Sequence, residues 1–135
     1  SAQACALARE NAARLGAAAE VVQGDFFAPF AGRVFDLILC NPPYIPTGEL
    51  PCLQPEVGFE PPLALNGGAD GLSFYRRLAA EAAAFLAPGG VLLVETGDGQ
   101  AEAAAGLFVA PFAPPKVRPD LTGNPRFLEI RRAGG

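Results

Sequence analysis

Two short runs that are apolar without interruption, residues 37–40 and 91–94, constrain the fold of this chain more than any other feature. Runs of that length suit strands buried on both faces, the kind found in sheets whose crossovers are helices. Between them, residues 71–86 show helical spacing that ends at Pro88, Gly89 and Gly90, so a helix feeds directly into the second strand. Residues 1–15 predict a first helix, with Leu7, Ala8 and Leu15 on one face, Ser1 placed to cap it and Gly16 to stop it. Residues 20–25 predict a short strand ending in a turn, and residues 98–109 another helix. Residues 116–121 and 126–132 predict a hairpin closed through Thr122, Gly123, Asn124 and Pro125. Strands alternating with helices predict an α/β fold: a parallel, doubly wound sheet with an antiparallel hairpin at its C-terminal end. In residues 41–70 prolines and glycines recur too often for regular structure. A loop that long inside a compact domain is usually functional, which makes it the first candidate for substrate contact.

A length of 135 residues, half of them apolar and 18% charged, supports one globular domain with one core. The apolar runs fall far short of the roughly 20 residues a membrane span needs, and no basic segment precedes an apolar stretch at the start. The expectation is a soluble, cytoplasmic protein with no membrane partner. Cys5, Cys40 and Cys52 form neither a C-x-x-C pair nor a zinc-type cluster, which predicts reduced thiols and no structural metal. A formal charge of -4 offers no basic footprint for a phosphate backbone and weighs against direct nucleic acid binding. Arg126, Arg131 and Arg132, the densest basic group, read as the solvated end of the last strand. The absence of histidine removes Ser-His, Cys-His and His-metal chemistry. What remains are carboxylates, amides, backbone groups and a bound cofactor, a setting that suits group transfer.

Asp25, Asn41 and Glu95 each fall at the predicted carboxyl end of a different strand, where open α/β sheets bind ligands, and so should line one cleft. Within that set, Asn41-Pro42-Pro43-Tyr44 carries a specific chemistry. An amide nitrogen keeps its lone pair in conjugation, the source of the roughly 18–20 kcal/mol barrier to C–N rotation, and is a poor nucleophile. Two acceptors holding both N–H hydrogens while the nitrogen pyramidalises would aim the lone pair at a methyl group and stabilise the charge developing there. The Asn41 side-chain oxygen is one such acceptor, and the main-chain carbonyl of Pro42 is the other. Asn41 and Pro42 each precede a proline, which holds them extended, and neither proline has a donor of its own. Tyr44 adds a flat face for a planar substrate group. The structural alternative is an Asn-Pro turn that simply ends a strand.

Asn41-Pro42-Pro43-Tyr44 resembles the motif of amino-N-methyltransferases, which serves adenine, cytosine and protein glutamine alike. Its surroundings are similar to the HemK/PrmC family of protein-glutamine N-methyltransferases along nearly the whole chain. They comprise Phe59-Glu60-Pro61, Ala64-Leu65, Gly67-Gly68, Asp70-Gly71-Leu72, Glu95, Gly97, Gln100, and Asp120-Leu121 with Gly123 and Arg126. The resemblance implies a class I, Rossmann-like fold that transfers methyl from S-adenosylmethionine to the side-chain nitrogen of a glutamine. That glutamine typically lies in the Gly-Gly-Gln loop of a peptide chain release factor, with a ribosomal protein as the near alternative. By the same resemblance Asn41, Pro42, Pro43 and Tyr44 would bind the glutamine, Asn41 would also touch the cofactor, and Asp25 and Phe26 would border its adenine. It further implies that residues 1–135 are part of a catalytic domain. The family's glycine-rich turn for the cofactor, the acidic residue on its ribose and a helical substrate-binding domain would all precede Ser1, and these 135 residues alone should bind the cofactor poorly. Two other readings stay open: a DNA adenine-N6 or cytosine-N4 methyltransferase domain, using the same chemistry on a flipped base, and a non-catalytic α/β module. Glu60 and Glu95 are candidates for shaping the cleft, and no general base is assigned.

Overall fold

The computed structural model describes residues 1–134, which divide into two compact units, residues 1–33 and residues from Val34 onward. In the first unit α1 spans Ala2–Arg14. Ser1 caps it, its hydroxyl accepting from the Ala4 amide at 3.2 Å, and Gly16 ends it at φ +62, a left-handed conformation that favours glycine. The strand expected at residues 20–25 is not formed. A strand exists only as one rail of a ladder, and no described segment pairs with these residues, whose apolar character alone cannot supply a partner. Arg9 instead donates to the Val21 carbonyl at 3.1 Å, and Arg33 pairs with Glu20.

The second unit holds a four-stranded sheet in the order β1-β2-β4-β3. β1 spans Phe35–Cys40, β2 Leu86–Glu95, β3 Lys116–Pro119 and β4 Pro125–Arg131. β1 and β2 are parallel, while β4 runs antiparallel to both β2 and β3, giving the expected hairpin. β2 begins earlier than its apolar run because Pro88, Gly89 and Gly90 form a bulge between the pairs Phe35–Leu86 and Leu37–Val91, instead of a loop before the strand.

Among the described residues three α-helices belong to this unit: α2 at Pro62–Leu65, α3 at Ser73–Glu81 and α4 at Ala101–Ala105. The last is much shorter than the twelve residues that the alanine spacing suggests, because the chain turns at Gly106 and Leu107. Leu86, Leu92 and Val94 of β2 and Leu128 and Ile130 of β4 alternate onto one sheet face and are fully buried. With Tyr75 and Leu78 of α3 and Ala101 and Ala104 of α4 they make the core. The opposite face corrects a second expectation. Leu37 and Leu39 are 54% and 70% exposed, so β1 is not buried on both faces. Its continuous apolar run records two apolar faces, but burial of each needs a covering layer, and this unit's buried helix residues serve one face.

Candidate active site

In the parallel β1/β2 pair Cys40 lies opposite Val94, so Asn41 and Glu95 emerge side by side at the carboxyl edge of the sheet. Asn41 opens the turn that its two prolines stiffen. Pro42 is buried, whereas Asn41 is exposed and its side chain makes no hydrogen bond among the described residues. Two recesses meet at Asn41. One is a cleft of about 400 Å³ walled by Asn41, Pro42, Pro43 and Tyr44 on one side and by Leu53, Val57, Glu60 and Leu65 on the other. The second, about 620 Å³, is open and mostly apolar, with Leu39, Leu93 and Phe127 beside Asn41 and Glu95.

The long loop that supplies the far wall is tied at its neck. The Ile45 amide donates to the Leu65 carbonyl at 3.0 Å and the Gly67 amide to the Ile45 carbonyl at 2.8 Å, while the Thr47 hydroxyl donates to Asn66 Oδ1. Those bonds close the neck of the loop, which contains α2 and short 3-10 turns despite its prolines and glycines and whose Leu53, Val57, Glu60 and Leu65 line the same cleft as Asn41 to Tyr44. Asp70 stands just outside the neck, where its carboxylate accepts from the Leu72 amide and pairs with Arg76 at 2.5 Å. That guanidinium holds the Asp70 carboxyl well below the usual carboxylate range.

Tyr44 is the most constrained residue of the motif. Its hydroxyl donates to Glu95 Oε1 at 3.3 Å, and its carbonyl accepts from Gln100 Nε2 at 2.8 Å. A methyl on Gly67 would lie 2.7 Å from the Tyr44 Cα, and one on Gly97 would lie 2.9 Å from its ring. Burial first, then the charge of Glu95, raises the Tyr44 phenol above its ordinary value of 10.0. Tyr75, whose hydroxyl donates to the Glu95 carbonyl at 3.0 Å, is raised as well, chiefly by burial. The Cys40 thiol is pushed up to about 11 by burial, which keeps it in the thiol form at neutral pH. A raised tyrosine pKa favours folding below the ordinary value, and that contribution is lost as pH rises through the folded value. In alkaline titration, the phenolate absorbance lost on Tyr44→Phe should therefore develop above pH 10, with stability falling over the same range; a Tyr44 midpoint at or below 10 would contradict this environment.

Asn41, Pro42, Pro43 and Tyr44 line one recess together with Glu60, and Asn41 lines the other together with Glu95. Asp25 does not close a strand; it lies in the first unit after an unpaired extended segment, and Phe26 beside it adopts φ +54 with its ring edge-on to Phe27. The arginines are not merely solvated: Arg126, Arg131 and Arg132 donate to the carbonyls of Thr96, Gly89 and Leu86. Asp120 holds the hairpin tip, accepting from the Thr122 and Asn124 amides at 2.8 and 3.0 Å. Sequence reasoning missed Leu53 and Val57 as cleft walls, and it did not see Gly67, Gly71, Gly97 and Gln100 as the surround of Tyr44. The signal was present in the glycines, but glycine in a loop announces freedom of backbone and close approach in the same way.

A family model described as the methyltransferase small domain matches residues 1–50. A release factor glutamine methyltransferase of Deinococcus radiodurans is 47% identical over all 135 residues. The chain is a homologue of the release factor glutamine methyltransferases. It spans about half the length of the curated relatives it matches, 48% in the Deinococcus case. Among solved structures, a release factor-specific protein-(glutamine-N5) methyltransferase from Alicyclobacillus acidocaldarius is 32% identical with a TM-score of 0.50, over 76% of this homologue and 51% of that chain. A methyltransferase from Pyrococcus furiosus superposes with a TM-score of 0.64 over the whole of this homologue and 60% of its own chain, at 19% identity, a likeness of fold alone. The mixed sheet with its terminal hairpin is thus a methyltransferase fold. Among the described residues no helix is long and apolar enough to cross a membrane.

Proposed function

We propose that residues 1–135 belong to the catalytic domain of an S-adenosylmethionine-dependent methyltransferase that modifies the side-chain nitrogen of a glutamine, in the Gly-Gly-Gln loop of a peptide chain release factor. The observation that carries this reading is the position of Asn41 at the junction of two recesses, one mostly apolar and one walled by its own Pro-Pro-Tyr turn. The glutamine amide would enter the cleft, where Asn41 Oδ1 and the Pro42 carbonyl each hold one of its N–H hydrogens. The Pro42 carbonyl is held by the proline-stiffened turn before the substrate arrives, and the Asn41 side chain, which makes no other hydrogen bond among the described residues, is available to accept the second hydrogen. The ring of Tyr44 gives the planar amide a face to lie against.

The residues present suit the cofactor. Leu39, Leu93 and Phe127 offer apolar walls, and Asn41 brings an amide engaged by no other described side chain. When bound, S-adenosylmethionine supplies an electrophilic methyl group on a sulfonium. The chain itself supplies orientation and charge stabilisation in place of a base: it has no histidine, and Tyr44 stays protonated.

A protein acceptor is favoured over DNA by the charge of the cleft loop. Residues 41–70 contain Glu49, Glu56, Glu60 and Asp70 and neither Lys nor Arg, which repels a phosphate backbone. The full-length protein, given S-adenosylmethionine and a release factor, should add one methyl group to the Gly-Gly-Gln peptide as read by mass spectrometry. Incorporation into duplex DNA instead, or into neither substrate, would overturn the proposal.

A further inference from the structure

Gln100 is oriented against its own hydrogen-bonding interest. Its Nε2 donates to the Tyr44 carbonyl at 2.8 Å, and its Oε1 is buried with no hydrogen-bond partner among the described residues. The orientation is forced, because a carbonyl can only accept and the amide must turn its nitrogen toward it. The oxygen is then left against Gly97, close enough that a methyl there would lie 2.6 Å away. A buried acceptor without a partner costs about as much as an ordinary hydrogen bond returns, so the unpaired oxygen offsets much of what the bond to Tyr44 contributes to folding.

What the bond does accomplish is positional. The peptide unit joining Tyr44 to Ile45 is held at both ends, its carbonyl by Gln100 and its N–H by the Leu65 carbonyl at 3.0 Å. Glu95 holds the far end of the Tyr44 side chain, and the ring of Pro43 removes one more torsion from the span back to Pro42. We propose that Gln100 is a positioning residue for the methyl acceptor, acting through Tyr44: it fixes the peptide unit that anchors the Asn41-Pro42-Pro43-Tyr44 turn, at the cost of a buried oxygen left unpaired. This rests on the reading of that turn as the acceptor site.

Gln100→Met in the full-length protein separates the two roles. The substitution removes the orphaned oxygen but leaves the Tyr44 carbonyl without its donor, two changes that oppose each other, so the midpoint of denaturation should shift little. kcat should fall about tenfold or more, with KM for S-adenosylmethionine unchanged, since a small misplacement of an acceptor is expensive in rate. A wild-type kcat would overturn the inference. So would a loss of activity that merely follows the folded fraction, because Gln100 would then be structural. Asn41→Ala, assayed alongside, distinguishes the failures: if that variant retains transfer, the acceptor-site reading itself is wrong, whereas if it loses transfer while Gln100→Met does not, only the positioning role is.

Discussion

Asn41→Ala in the full-length protein is expected to lower kcat for methyl transfer to release factor about 10²- to 10³-fold while leaving the protein folded. The size follows from what one polar partner of a developing charge is worth once bound substrate and cofactor have displaced water from around it. The acceptor must exist before the reaction, because an amide nitrogen offers its lone pair only as its conjugation is broken. Removing Asn41 Oδ1 leaves the Pro42 carbonyl to hold one N–H alone, and the nitrogen can return to planarity. The folded state should hardly notice, since the Asn41 side chain is exposed and hydrogen-bonded to nothing among the described residues, and surface changes of that kind usually stay within about 0.5 kcal/mol. Single-turnover kinetics with equal folded fractions makes the comparison. A loss below tenfold would remove Asn41 from the reaction.

The turn that supports this prediction was legible in the sequence because its chemistry and its conformation are both local: two prolines dictate the backbone wherever they occur. The parallel strands β1 and β2 and the closing hairpin were legible for a similar reason, since residues 37–40 and 91–94 and the turn at Thr122 to Asn124 need no distant partner to announce themselves. What failed depended on neighbours. Residues 20–25 have strand composition and no ladder, and Leu37 and Leu39 have core composition and an exposed position. α4 was overdrawn because alanine favours helix without saying where a helix stops. The surround of Tyr44 escaped for the deepest reason. Gly67, Gly71, Gly97 and Gln100 are separated from it by 23 to 56 positions, and only the folded chain shows them converging.

That convergence makes Gly71 the most sensitive backbone position of the site. Gly71→Ala should destabilise the protein by about 3 kcal/mol and lower kcat with it, whereas Gly89→Ala should cost only about 1 kcal/mol and leave kcat unchanged. The two glycines have nearly the same left-handed backbone, φ +75 and +77, so the conformational strain of adding a side chain is common to both. Their surroundings differ. A methyl on Gly89 meets nothing within 4 Å, while one on Gly71 runs into both the Tyr44 carbonyl oxygen and Gln100 Nε2 and lies 3.3 Å from the ring of Pro46. The first obstacle is backbone pinned through Ile45 to Leu65, so it cannot swing aside as the end of a flexible chain would. Relief requires either that Gln100 give up its hydrogen bond or that the motif's last peptide move, and both release Tyr44 from the geometry that holds the acceptor turn. Denaturation midpoints of the two variants, measured beside their kcat values, test this directly. Equal losses in the pair would mean that only the φ angle matters and that the crowding around the Tyr44 carbonyl does not constrain the site.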